Sequence, residues 1–209
     1  MNPLDTDAVA AVTGPFQVWV LPALLGLGLA SATGLRTFLP LLMLGLAARF
    51  DLFGIGLNEH MSWIGSTPAL AALAIAAVAE FAGDKIPVVD HALSSIGLVA
   101  RPVAGAVAAG SVFAGVDPTT AAVAGIIIGA PTALAFNAAQ GGARVASTAT
   151  TGGLGNPILS FIEDVLAFFT VILAFLVPIL VPVLLLALLW LVFRLTRRFR
   201  RAAPAEPAG

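Results

Sequence analysis

Apolar residues run almost continuously along this chain, and the places where polar residues interrupt them carry most of the information. A membrane-crossing helix needs roughly 20 mostly apolar residues. The first run, 16–50, is too long for one simple span and is interrupted at Ser31-Ala32-Thr33-Gly34, with Arg36 close behind. This pattern predicts one broken helix, or two half-helices meeting near the middle of a bilayer. Residues 51–67 are mixed in character and place Trp63 at an expected interface. A second apolar helix is predicted over 68–83, ending in Glu80-Phe-Ala-Gly-Asp84-Lys85. Residues 86–100, which hold Asp90 and His91, read as a short amphipathic or re-entrant piece. Arg101-Pro102 then opens a helix to about Gly115, with proline at a tolerated first-turn position.

Asp117-Pro118-Thr119 predicts a turn and a helix start, followed by an apolar helix over 119–136. Residues 137–156 are rich in Gly, Ser and Thr, carry the single charge Arg144, and read as irregular backbone. At membrane depth such backbone survives only if buried in protein or lining water. Beyond Glu163-Asp164, an uncharged run of 29 residues covers 165–193. As one straight helix it would be roughly 44 Å long, more than the ~30 Å hydrocarbon core. Pro178 and Pro182 are therefore expected to kink or divide it. Five arginines between 194 and 201 follow directly, a positive-inside signal for a cytoplasmic C-terminus.

Composition supports a lipid-facing surface. Hydrophobic residues make up 59% and charged residues 10% of the 209 positions, against about 25% charged in a soluble domain. The mean hydropathy is +1.03. A net charge of −1 gives no global attraction to nucleic acid. The absence of Cys excludes disulfides and thiolate chemistry, and two histidines, His60 and His91, argue against a zinc cluster. The first seven residues hold two Asp and no basic residue, so the first apolar segment is expected to be retained. The expected fold class is an all-α membrane protein of about six transmembrane helices with broken or re-entrant segments. Its organisation is a short N-terminal segment (1–15), one transmembrane domain (16–196), and a basic, then disordered, cytoplasmic tail (197–209). Laying 32–38 over 131–137 suggests a 3+3 inverted repeat with halves 16–116 and 117–196, an architecture common in secondary transporters.

Three strings also resemble a known family. Gly28-Leu-Ala-Ser-Ala-Thr-Gly-Leu-Arg-Thr-Phe-Leu-Pro40, Glu80-Phe-Ala-Gly-Asp-Lys-Ile-Pro87 with Asp90, and Arg101-Pro-Val-Ala-Gly105 are similar to the bacterial membrane family called domain of unknown function 4126. The resemblance covers about 21–182 and implies a compact multi-helix membrane domain, without implying an activity. Glu80 to Lys85 is also chemically similar to the Glu-x-Gly-Asp-Lys/Arg-Thr string of manganese- and calcium-type cation/proton exchangers. It differs by one extra residue and by Ile86 in place of the hydroxyl residue.

The candidate chemistry follows from the ionisable residues between apolar runs. Glu80 and Asp84 are four apart and share a helix face, so in a poorly solvated site they either share a proton or hold a cation. They are the candidate metal ligands; Lys85 can instead neutralise one of them. Glu163 and Asp164 point about 100° apart on a helix, so one is expected to face a shared site and the other to cap a helix N-terminus. Arg36, if at bilayer depth, must pair with Glu80, Asp84 or Glu163, because a central arginine costs on the order of 3 kcal/mol. Arg101 and Arg144 are expected at the interface, or with Arg36 as receivers of an anion. Asn137 and Gln140 can line a pore or bond between helices, and Thr33 and Thr132 are expected at equivalent breaks in the two halves. Asp90 and His91 lack a recognisable nucleophile, which argues against a hydrolase.

The resulting expectation is a small secondary transporter in the bacterial cytoplasmic membrane, proton-coupled, with a midplane site. It would move a small ion or solute, a divalent cation before an anion. The alternative is a non-transporting scaffold or lipid-binding protein in which the charges form a structural network. Membrane lipids, the transported solute and a second copy of the chain are the expected partners, with no nucleic acid and no cofactor.

Overall fold

A computed structural model of the protein describes residues 14–84, 87–187, 190 and 194, with the side chains of 87–92 and 94 set aside. The described residues are helical and contain no strand. Seven α-helices follow in order: α1 (Leu21–Leu35, entered through a π-turn at Phe16–Val20), α2 (Leu39–Arg49), α3 (Thr67–Gly83), α4 (Pro87–Ser111), α5 (Pro118–Thr151), α6 (Asn156–Leu176) and α7 (Pro178–Ala187). Short 3-10 turns at Leu52–Gly54 and Glu59–Gly65 fill the α2–α3 connection. By length and composition, Phe16–Leu35, α5 and α6 can each cross a membrane. Glu59–Gly65 with α3 makes a fourth if that pair, bent by 62°, counts as one span. A count of six would need two of the shorter apolar helices α2, Ser95–Ser111 and α7 besides these four.

α1 is the central helix. Its consecutive residues Gly28 to Leu35 are all buried, and it packs against α4, α5 and α6. Small residues make the close approach feasible: a Cβ at Gly34 would meet the Ala133 carbonyl of α5, and one at Gly26 would meet Ala109 of α4. The α4–α5 crossing is closer still. A Cβ at Gly129 would collide with the Gly105 carbonyl, and one at Gly125 with the Ala106 carbonyl. Gly125 and Gly129 form the small-xxx-small pattern that lets membrane helices meet backbone to backbone. Leu29, Leu44, Ala108, Phe113 and Val171 complete the apolar core. The outer surface is also apolar, with Val78 on α3, Ile127 on α5 and Phe169 on α6 all exposed. Polar groups gather inside instead, the arrangement hydrocarbon demands.

The helix ends sort into two sides. On one, Trp19 packs on Phe113 (ring centroids 6.2 Å apart), Phe53 packs on Phe175 (5.7 Å), and Arg49 donates to the Gly65 carbonyl. Asn58, buried in the same layer, donates from Nδ2 to the carbonyls of Phe113 and Val116. The other side holds the α1–α2 break and the α5–α6 turn at 152–155.

Four expectations change. The first break falls at Arg36–Phe38, not Ser31–Gly34: the Ser31 and Thr33 hydroxyls bond back to the Leu27 and Ala30 carbonyls, so the helix runs on to Leu35. From Phe16 to that break is a full span of roughly 30 Å, rather than half of one. Residues 87–111 form one helix through Pro102, so Arg101 does not begin a new one. Residues 137–151 are helical as well, because an apolar setting makes unpaired backbone more costly than helical glycine. Thr132 therefore lies inside an unbroken helix, bonded to the Ile128 carbonyl, and is not at a break equivalent to the one after Thr33. The division at Pro178 is present: α6 ends at Leu176, and Val177 leaves helical geometry at φ −144°.

Candidate functional site

The interruption between α1 and α2 generates the site. Helix α1 ends at Leu35, and three residues later α2 begins, which leaves the first backbone N–H groups of the new segment without helical partners. Glu80, near the end of α3, supplies them. Its Oε1 accepts from the Thr37 N–H (2.9 Å) and hydroxyl (2.8 Å), and its Oε2 from the Phe38 N–H (3.2 Å). Glu80 thus joins α3 to the break.

Arg36, 2% exposed, points from the same break toward α3 and α6. Its Nη1 donates to Asp84, Nη2 reaches the Ser160 hydroxyl (2.8 Å) and carbonyl (3.1 Å), and Nε forms an ion pair with Asp164 Oδ1. Asp84 Oδ2 also accepts from Ser160 (3.2 Å) and Arg144 (3.4 Å). Arg144 reaches Glu163 Oε2 at 2.8 Å, and Gln140 donates to the same oxygen at 2.6 Å. Gln140 in turn accepts from Arg101, which also donates to Asn137 (2.7 Å) and the Gly34 carbonyl (3.2 Å). One continuous network therefore links α1, α3, α4, α5 and α6.

Asn137, Gln140 and Arg144 have helical spacing, which puts all three on one face of α5 toward Arg101 and Glu163. This face explains why the Gly-rich stretch is ordered where the sequence suggests irregularity. Arg101 is 7% exposed, and both Arg101 and Arg144 belong to the network. Glu163 and Asp164 do not cap a helix, since α6 starts at Asn156. Both join the network, on two flanks of α6, where one was expected. Ser160 and Thr37 are the contributors that sequence reading missed. Ser160 lies one turn before Glu163 and Asp164, and that spacing was its available signal.

Glu80 and Asp84 face separate donor sets, Glu80 the Thr37–Phe38 segment and Asp84 the Arg36, Ser160 and Arg144 side chains. Among the described residues, no group of three or more His, Asp or Glu could hold a metal ion. Lys85 lies outside the described residues, and Asp90 and His91 lie on α4 with side chains outside them.

Among the described residues, Asp84, Glu163 and Asp164 pair with Arg36 and Arg144, while Glu80 is held by Thr37 and Phe38 and Arg101 by Gly34, Asn137 and Gln140. Glu163 Oε1 is buried without a hydrogen-bond partner, as are the Nε atoms of Arg36, Arg101 and Arg144, and among the described residues Asp164 makes no ion pair beyond the one with Arg36. Asp164 faces an open cavity of about 330 Å³ between α2, α3 and α6, which it lines together with Arg36 and Glu80. Leu39, Leu42, Ala74, Ala77, Val78 and Phe81 form the rest of the wall.

No curated protein and no solved structure matches the chain. A family model described as "Domain of unknown function (DUF4126)" matches residues 23–198, a stretch that contains the whole charged network, and the chain belongs to that family.

Proposed function

We propose that the protein is a small secondary transporter of the bacterial cytoplasmic membrane, C-terminus inside, that moves a small solute in exchange for protons. The observation that carries this reading is the cavity ending on Arg36, Glu80 and Asp164 at a helix break. Broken helices whose freed backbone groups meet charged side chains beside a cavity are the recurrent transporter design. Several carboxylates gathered in one poorly solvated network suit proton coupling, because neighbouring acids compete to hold a proton or a cation. Glu163, with one buried oxygen unmatched, is the proton-carrying group in this scheme. The commitment of Glu80 to Thr37 and Phe38, and of Asp84 to arginines, moves the preference from a divalent cation to an organic solute.

The test is flux in proteoliposomes loaded with a pH-sensitive dye. An imposed solute gradient should drive proton movement with the native chain. Glu163→Gln should still fold and bind solute but lose the coupled proton movement. Manganese and calcium gradients belong in the same screen and are expected to give none. A second reading, a structural network in a scaffold, is favoured by the dense pairing of Arg36 and Glu80. It prevails if no cationic, anionic or neutral solute drives proton flux.

A further inference from the structure

The cavity between α2, α3 and α6 has a composition that selects its occupant. About 330 Å³ is enough for a small organic molecule, at the lower end of the range of ligand pockets. Six of its nine lining residues are apolar, and Val78 and Phe81 at its edge belong to the exposed outer face of α3. The cavity therefore opens where an apolar molecule dissolved in the bilayer would arrive. Its three polar residues differ in what they can still offer. The two Nη atoms of Arg36 are spent on Asp84 and Ser160, and its Nε is buried and ion-paired with Asp164. Both oxygens of Glu80 are spent on Thr37 and Phe38. Asp164 alone keeps an oxygen without a partner among the described residues, and its side chain is 18% exposed. Among the described residues, the available charge is thus a single carboxylate edge at the end of an apolar pocket.

We propose that this cavity binds a lipophilic organic cation, an apolar body bearing an ammonium group, with the ammonium on Asp164 and the body against Leu42, Ala77 and Val78. Burying the apolar part supplies affinity roughly in proportion to the area removed from water. The carboxylate supplies the choice of charge: an anion would face Asp164 and find Arg36 occupied, and a neutral analogue would leave the carboxylate edge unmatched. The proposal names the substrate class of the transport reading and rests on it for movement across the membrane, but binding itself can be measured separately.

The experiment uses the full chain in lipid nanodiscs and three probes of one shape: 4-phenylbutylammonium, 4-phenylbutanol and 4-phenylbutanoate. The ammonium should bind saturably, the alcohol about tenfold or more weaker, and the carboxylate not detectably. Asp164→Asn should bring the ammonium down to the affinity of the alcohol and leave the alcohol unchanged. Ala77→Phe fills the cavity without touching a charge and should weaken both, which keeps the test decisive if the Asp164 variant does not fold. Equal binding of all three probes, no saturable binding by the folded native chain, or full ammonium affinity in either folded variant would overturn the site. Ammonium binding without coupled flux would leave the site standing and remove the transport reading. Coupled flux of other solutes without ammonium binding would do the reverse.

Discussion

Asn58 illustrates how much a single polar residue can decide in this fold. It is 2% exposed, its amide donates to two carbonyls at the end of α4, and its own N–H reaches the Ser111 carbonyl at 2.6 Å. Replacing it with alanine leaves the carbonyls of Phe113 and Val116 without that donor in a buried place, at a cost of about 1–3 kcal/mol. Asn58→Ala should lower the thermal midpoint in detergent by several degrees, while Glu59→Gln, on an exposed neighbour, should not. Arg36 is the opposite case, a residue whose importance its chemistry announces. An arginine among apolar residues must find carboxylates, and it finds Asp84 and Asp164. Its partners were among the four acids the chain offers there, but the choice among them depended on which helix ends meet. Arg101 reads as opening a helix because Pro102 follows it, and a proline accommodated inside α4 gives no different signal in sequence.

The helices are held by what their glycines permit and by how their ends are capped. Gly129 faces the Gly105 carbonyl with no room for a methyl, whereas Gly141, on the same helix, has nothing within 4 Å of the position a Cβ would take. Gly129→Ala should destabilise the protein by about 1–3 kcal/mol through overpacking. Gly141→Ala should be neutral or stabilise by up to about 1 kcal/mol through helix propensity. Thermal unfolding of the two variants side by side checks both. At the start of α5, Asp117 accepts from the Thr120 N–H at 3.0 Å. Hydrogen bonds from the Thr120 side chain and backbone hold its carboxyl below the ordinary value. Since folding lowers this pKa, the cap contributes fully above the unfolded value of about 3.9 and is lost as pH falls through the folded one. Asp117→Asn should therefore flatten the acid limb of a stability–pH curve and leave the curve near neutral pH almost unchanged. That cap was legible as Asp-Pro-Thr, whereas the extent of α5 to Thr151 was not. The last turns of α5, rich in glycine and threonine, look irregular until the face carrying Asn137, Gln140 and Arg144 acquires a partner.

For the whole molecule, the path of the chain makes a topological prediction. α6 ends beside Phe53, and α7 turns back along α1, with Val181 against Gly28. As far as Ala187, α7 therefore runs toward the side of the α5–α6 turn, opposite the connection that holds Glu59. Because the chain has no cysteine, Glu59→Cys and Leu154→Cys each give a single labelling site. In oriented vesicles an impermeant maleimide should reach Leu154→Cys and Glu59→Cys from opposite faces. Labelling of both from one face would contradict this path.

The sequence by itself determined the solvent and the building material. With 59% hydrophobic and 10% charged residues, the chain has to be helical and lipid-facing, because only internally bonded backbone survives there. It also identified the ionisable residues that needed explaining and the division at Pro178. Tertiary structure alone decided which acid meets which arginine, that Glu80 closes the α1–α2 break, and that Asp164 faces a cavity. The reason is physical. Hydropathy is a property of residues in order, whereas pairing among four acids and three arginines depends on helix crossings set by glycine contacts far apart in the chain.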